Sequence, residues 1–165
     1  MNIISEYAFA TEALMSEIMI VSAEVTRLRE IAAATGPRPT DGVNVQSGGG
    51  SDRTGGSAIK IVDMERQLVR TGAELSEVIQ LMQEAIRTLP SPKERTVLSL
   101  KYISRLTHED IAGLIGKSER QEYRIHQAAV SHLNQRSGEP RVRALRKKCQ
   151  NVMECHCMAD RPAVL

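Results

Sequence analysis

Apolar residues recur at steps of three and four along two long segments of the chain. The first segment runs from about Ser5 to Ala34, and its stripe consists of Leu14, Ile18, Val21, Val25, Leu28 and Ala32. The second runs from about Ser57 to Leu89, and its stripe consists of Ile61, Met64, Leu68, Leu75, Val78, Met82 and Ala85. This spacing predicts two long amphipathic helices, over residues 1–34 and 58–89.

The stretch between these segments, residues 35–57, is rich in Gly, Ser, Thr, Pro and Asp and has no apolar periodicity. It is typical of a flexible linker, and Gly36-Pro37 ends the first helix. Two helices of similar length joined in this way can fold back as a long antiparallel hairpin. The same stripes also permit pairing with a second chain, so a homodimer through the N-terminal helices is an alternative use of them.

Three sequence boxes follow the break at Leu89-Pro90. In each, a Ser or Thr precedes an acidic residue or Gln by three positions: Ser91 and Glu94, Thr107 and Asp110, Ser118 and Gln121. Such boxes mark helix N-termini, because the hydroxyl accepts from the third backbone N–H and the third side chain can reach back. We therefore expect three further helices, of which the middle one has about two turns.

The apolar residues of these helices agree with that layout. Ile111 and Ala112 belong to the middle helix, and Ile125, Ala129 and Leu133 lie at steps of four on the last. Gly116 suits the left-handed position after a helix end. A short helix, a turn with Gly and a polar third helix are typical of a helix-turn-helix domain, expected over residues 91–135.

Composition supports an all-α fold. Apolar residues make up 41% of the chain but aromatic residues only 2%, which favours helices packed through aliphatic side chains over a β-sandwich or barrel. The net charge is +2, yet residues 93–148 hold thirteen Lys and Arg against six Asp and Glu. A basic C-terminal part is the charge distribution expected of a protein that binds a polyanion.

Several classes of protein are disfavoured. No segment approaches the length of a membrane span, and no secretory signal is recognisable, so we expect a cytoplasmic protein with reduced thiols. The basic segment 136–165 is expected to be a flexible tail, and its Cys149, Cys155, His156 and Cys157 have a spacing that disfavours zinc. No spacing suggests a catalytic set around His108 or His126, so we expect neither an enzyme nor a bound cofactor or metal.

The residues over 91–133 resemble a known family. Leu98 and Tyr102, the run Thr107-x-Glu109-Asp110-Ile111-Ala112, Leu114-Ile115-Gly116, Ser118, and Ala129 with Leu133 are similar to sigma factor region four. The stretch SERQEYRIHQAA is closer to the sigma-like transcriptional regulators of phages of Gram-positive bacteria, of the RinA and ArpU type. Those regulators resemble the chain over about residues 5–133, with helical segments ahead of a C-terminal sigma-like domain.

The chain departs from this family in three ways. Glu122 stands where the family usually has an apolar residue facing the core, and its stem is expected to pack while its carboxylate reaches solvent. The tail after Leu133 has no recognisable counterpart. The aromatic-rich region with which a complete sigma factor melts promoter DNA is absent from the sequence, so a regulator is a better interpretation than a stand-alone sigma factor.

The resemblance implies that the third helix enters the major groove of double-stranded DNA. Ten residues at its exposed start and at the neighbouring helix termini are the expected contacts: Thr107, His108, Lys117, Ser118, Glu119, Arg120, Gln121, Tyr123, Arg124 and Gln127. Arg pairs with guanine, Gln with adenine, and Glu accepts from cytosine, whereas Lys and capping hydroxyls suit phosphates.

We therefore interpret the chain as a sequence-specific transcriptional regulator of phage or prophage genes, with host RNA polymerase as a second expected partner. One alternative is a phage terminase small subunit, although its DNA-binding part usually comes first. The other is a sigma-like protein-interaction module that does not read DNA.

Overall fold

The computed structural model describes residues 2–34 and 53–159, with side chains over residues 2–34 and 58–155. Every regular element in this part of the chain is helical, which confirms the all-α prediction. The helices are α1 (Ile3–Ala34), α2 (Arg53–Arg87), α3 (Pro92–Leu98), α4 (His108–Ile115), α5 (Glu119–Gln135) and α6 (Pro140–Ala159), and a π-helical turn (Ser99–Ile103) continues α3. No helix among the described residues is long and apolar enough to cross a membrane.

The two long helices form where the apolar stripes predict them. Residues 35–52 of the predicted linker lie outside the described residues. Its last five residues are helical, because α2 begins at Arg53 rather than near residue 58. The helix ends at Arg87, before Leu89 and Pro90, since proline disfavours helical geometry in the residue that precedes it.

The chain divides into two compact units. We call residues 1–14 and 74–165 the core unit and residues 15–73 the hairpin unit. The core unit contains a hydrophobic cluster drawn from α1, α2, α3, α5 and α6, with the buried members Ile3, Ile4, Tyr7, Ala10, Leu14, Val78, Met82, Ala85, Ile86, Leu89, Leu98, Ala129, Leu133, Val142, Leu145, Cys149 and Val152. This cluster packs α3, α5 and α6 against the first part of α1 and the last part of α2.

The hairpin unit contains the second part of α1 and the first part of α2. Glu17 accepts hydrogen bonds from Gln67 (2.8 Å) and Thr71 (3.2 Å). Arg29, more than three turns further along α1, bonds to Glu65, which comes earlier in α2. The two segments therefore run antiparallel. Val21 and Val25 are the buried apolar residues among its described side chains, so this unit has little core of its own.

The prediction of a flexible tail over residues 136–165 is wrong for Pro140–Ala159, which form helix α6. Its residues Val142, Leu145, Cys149 and Val152 follow steps of three and four and lie buried in the core cluster. Arg146 reaches Glu6 on α1 (3.1 Å), and Lys148 reaches Glu77 on α2 (2.7 Å). The apolar stripe outweighs the basic residues around it, since burial needs only one face of a helix.

Candidate nucleic-acid interface

The turn between α4 and α5 has the geometry that a helix-turn-helix needs. Gly116 adopts left-handed dihedral angles (φ 64°, ψ 42°) after the last residue of α4. The backbone N–H of Lys117 donates to the carbonyl of Ala112 (2.9 Å), and that of Gly116 donates to Gly113 (3.3 Å). These two bonds close the helix end in a Schellman motif. Ser118 then begins α5, so the direction of the chain changes within three residues.

The caps predicted from the sequence set the starts of the helices. Thr107 and Ser118 form complete capping boxes with Asp110 and Gln121, respectively. At α3 only half of the predicted box forms: the Ser91 hydroxyl accepts from the Glu94 N–H (3.5 Å). The Glu94 carboxylate contacts His132 Nδ1 instead (3.0 Å), which ties the start of α3 to the end of α5.

Helix α5 has one buried face and one exposed face. The buried face consists of Glu122, His126, Ala129 and Leu133. The expected DNA contacts on this helix are all exposed: Glu119, Arg120, Gln121, Tyr123, Arg124 and Gln127. Among the remaining predicted contacts, Thr107, Lys117 and Ser118 are also exposed and His108 is half-buried. The structure therefore leaves the expected side of α5 open.

Three cations at the start of α5 are not neutralised within the described part of the chain. No carboxylate there forms an ion pair with Lys117, Arg120 or Arg124. Lys117 and Arg124 also line an open groove of about 460 Å³ between the starts of α3 and α5, together with Lys93. Lys93 is a cation of this surface that the sequence interpretation missed. Its position in the first turn of a predicted helix, two residues after the Ser91 cap, could have indicated it.

Five of the predicted contacts already have hydrogen-bond partners on or next to their own helix. The hydroxyls of Thr107 and Ser118 accept from backbone N–H groups, and Gln121 reaches back to the Ser118 N–H (3.4 Å). Gln127 donates to the Tyr123 hydroxyl (2.9 Å). These bonds hold the capping and glutamine side chains in place. The arginines are the side chains most free to reach a ligand.

Glu122 corrects the expectation that its carboxylate reaches solvent. Its side chain is fully buried, and Oε2 lies 2.8 Å from Nδ1 of His108 on α4. The other oxygen, Oε1, has no hydrogen-bond partner among the residues that the structure describes. A polar pair therefore occupies the apolar position that the sigma-like pattern predicts, and it joins the two helices of the motif. This contact also directs His108 toward the interior rather than toward a phosphate.

An aromatic cluster surrounds this pair, and sequence spacing did not reveal it. His126 packs edge to face on His108 (5.1 Å between ring centroids) and stacks on Tyr123 (6.3 Å). Its Nε2 lies 2.9 Å from the Tyr102 hydroxyl, and the Tyr7 hydroxyl on α1 donates to the Tyr102 carbonyl (3.2 Å). Burial, aided by the nearby His108, lowers the pKa of His126 from its usual value, so the neutral imidazole is favoured there.

The cysteines differ in their surroundings. Cys149 is buried in the core cluster, and this burial raises the pKa of its thiol to about 12. Cys155 is exposed. The side chains of residues 156 and 157 lie outside the described ones. Within the side chains that are described, no three His, Cys, Asp or Glu residues are grouped so as to hold a metal ion.

Comparison with known protein families gives a match. Residues 39–134 match the family described as Protein of unknown function (DUF1492), a range that extends from before α2 almost to the end of α5. No curated protein and no solved structure matches the chain. Since the matched range covers more than half of its length, the chain belongs to the DUF1492 family.

Proposed function

We propose that this protein binds double-stranded DNA in a sequence-specific manner through α5 and regulates transcription of phage or prophage genes. The observation that carries the proposal is the open face of α5, where Arg120 and Arg124 are exposed and without carboxylate partners among the described residues. An α-helix with such a face fits the major groove of B-DNA. The phage context comes from the resemblance to phage-encoded sigma-like regulators.

The spacing along α5 suits the reading of base edges. Arg120, Arg124 and Gln127 lie at steps of four and three and span about 10 Å of helix, comparable with the width of the major groove. Arginine can donate two hydrogen bonds to one guanine, which gives these two residues the main role in specificity. Glu119, exposed in the first turn, can accept from cytosine.

The surroundings of α5 supply contacts to the DNA backbone. Lys117 precedes the helix, and Lys93 lines the same groove as Lys117 and Arg124. Helix N-termini and lysines bind phosphates without regard to sequence. Together they would hold the protein in register while the arginines read the bases.

The fixed position of α5 matters as much as its exposed residues. The Glu122–His108 contact, the Tyr102–His126 contact and the burial of Leu133 hold the helix against α4, the π-helical turn and the core, respectively. A rigid support keeps recognition side chains within a narrow range of positions, which favours specificity. We assign these buried groups a positioning role.

Selection of bound sites from random duplex DNA, followed by affinity measurements, tests the proposal. Replacing Arg120 and Arg124 with Ala should weaken binding to the selected site about 100-fold or more and leave binding to unrelated DNA much less changed. The matched control is the pair Arg141→Ala and Lys147→Ala, which removes the same charge from exposed positions on α6. That control should lower the affinity for the selected site and for unrelated DNA by about the same factor. This factor should be smaller than the loss that the α5 variant shows at the selected site.

Two outcomes would overturn the proposal. One is the failure of selection to enrich any sequence. The other is equal loss of selected-site affinity in the α5 variant and in the α6 control, which would show a general charge effect. Circular dichroism of each variant ensures that a loss of binding is not a loss of folding.

A further inference from the structure

The first part of α2 carries a second apolar stripe, distinct from the one that packs within the chain. It consists of four apolar residues and one arginine at steps of three and four, all of them exposed: Ile59, Val62, Arg66, Val69 and Ala73. Ile59 is 64% exposed and Val69 is 74% exposed, large fractions for aliphatic side chains. We call this stripe the α2 seam. A heptad spacing of apolar residues is the pattern by which two helices pack along each other.

The α2 seam is not covered by α1 of the same chain. The packed stripe of α2 in this unit, Ile61, Met64 and Leu68, is half-buried and lies on the other side of the helix. The six residues Val62, Asp63, Glu65, Arg66, Val69 and Arg70 line an open depression in the surface. Val62 and Val69, seven residues apart, therefore flank a shallow groove that can receive side chains of a partner.

The charges beside the seam favour a second copy of the same surface. Asp63 and Arg70 both lie on one flank of the seam, seven residues apart, with Arg66 between them. When two such helices run antiparallel about a two-fold axis near Arg66, Asp63 of each copy lies opposite Arg70 of the other. Flanking residues of opposite charge set the partner and orientation in helix pairs. Among the described residues no carboxylate pairs with Arg70 in the isolated chain.

We propose that two copies of this chain associate through the α2 seam as an antiparallel dimer. Val62 of one copy packs on Val69 of the other, and Ile59 packs on Ala73, so each apolar position meets an apolar partner. The proposal goes beyond DNA binding and does not rest on it, because every residue involved lies in the hairpin unit.

Arg66 at the centre of the seam fits this arrangement. Its guanidinium lies 3.2 Å from Asp63 of the same helix, so the two arginines that meet at the axis each have a carboxylate nearby. A single polar position in such a seam lowers the affinity but fixes the alignment of the helices. Replacing Arg66 with Leu should therefore tighten the dimer.

Sedimentation of the full-length protein over a range of concentrations tests the proposal. The parent chain should dissociate reversibly from dimer to monomer. Replacing Val62 and Val69 with Glu should weaken the dimer at least about 100-fold, because four buried valines per dimer become charged. The matched control is Met19→Glu with Ile20→Glu, at α1 positions of the same unit that are 69% and 70% exposed, and it should leave the dimer intact.

Charge reversal tests the orientation. Asp63→Arg should weaken the dimer about tenfold, since it turns two attractive contacts into repulsive ones, and Arg70→Asp should do the same. The double variant should regain the parent affinity. In a parallel dimer Arg70 would lie near Glu65 of the other copy, so the double variant would not recover.

A parent chain that stays monomeric at all concentrations overturns the proposal. So does a dimer that the α1 control disrupts as strongly as the seam variant, or a double charge reversal that fails to restore affinity. Site-specific DNA binding measured on the seam variant separates this result from the DNA-binding proposal, because a monomer with an intact α5 still recognises a half-site.

Discussion

The core unit and the hairpin unit are built from the same kind of element but gain their stability in different ways. The core unit buries Leu98, Met82 and Leu133 in one cluster to which five of its helices contribute. The hairpin unit buries Val21 and Val25 and leaves Val69 and Ile59 in solvent. Since hydrophobic burial is the main favourable term in folding, the core unit should carry most of the stability.

The difference extends to the polar contacts. In the core unit the carboxyl group of the completely buried Glu122 lies 2.8 Å from Nδ1 of the half-buried His108. In the hairpin unit Arg29 pairs with Glu65 and Arg27 with Glu24, and in both pairs the arginine is mostly exposed and the glutamate partly exposed. Exposed pairs contribute little to stability because water and salt screen them. The core unit therefore determines its own structure, whereas the hairpin unit has exposed apolar surface left for a partner.

Truncation of a leucine in each unit should give the largest difference in stability between the two units. Leu133→Ala should lower the free energy of unfolding by about 3 kcal/mol, because a fully buried side chain leaves a cavity in the core. Leu68→Ala, at a half-buried position of the hairpin unit, should cost about 1 kcal/mol. Urea unfolding followed by circular dichroism measures both. Equal losses would show that the two units depend on burial to the same extent.

Removal of one partner from each of these polar contacts gives a smaller difference in the free energy of unfolding. His108→Ala should cost about 2 kcal/mol, since the Glu122 carboxylate then stays buried without a partner. Arg29→Ala should cost less than about 0.5 kcal/mol. Adding Glu122→Leu to the His108 variant should recover most of the loss, because no buried charge is left. If urea unfolding shows the same loss in the free energy of unfolding for the Arg29 and His108 variants, the buried pair contributes no more to stability than the exposed one.

The parts of this fold that the sequence predicts are those whose signals are local. The caps at Thr107 and Ser118 act over three residues, and Gly116 acts on its own turn, so the starts of α4 and α5 could be read directly. The long helices were readable because their stripes repeat many times. The exposed side of α5 followed from the same periodicity.

The parts that were missed depend on contacts between distant residues or on competing signals. Glu122 contacts His108 at a sequence separation of fourteen residues, and Tyr102 contacts His126 at a separation of twenty-four. Sequence spacing does not predict which side chains come together over such separations. The stripe of α6 was present in the sequence at Val142, Leu145, Cys149 and Val152, but the basic residues around it concealed its significance. The π-helical turn after α3 has no local signature among its residues.

The smallest expected effect is a dependence of stability on pH that belongs to the core unit alone. The hairpin unit contains no histidine, whereas His126 in the core unit is buried and favours its neutral form. An unfolded histidine titrates near pH 6.5. As the pH falls through that value, the unfolded chain binds the proton before the folded one does, so the free energy of unfolding decreases and does not recover at lower pH.

His126→Gln should reduce this slope, because glutamine keeps a hydrogen-bonding group near the Tyr102 hydroxyl but does not titrate. The charged or titratable groups that act on His126 are His108, Glu122 and Lys101, and all of them are retained in the variant. Urea midpoints between about pH 7.5 and 5 compare it with the parent, and His132→Gln, at an exposed imidazole, serves as the matched control. An unchanged slope in the His126 variant would show that burial of this imidazole does not make the stability around α5 depend on pH.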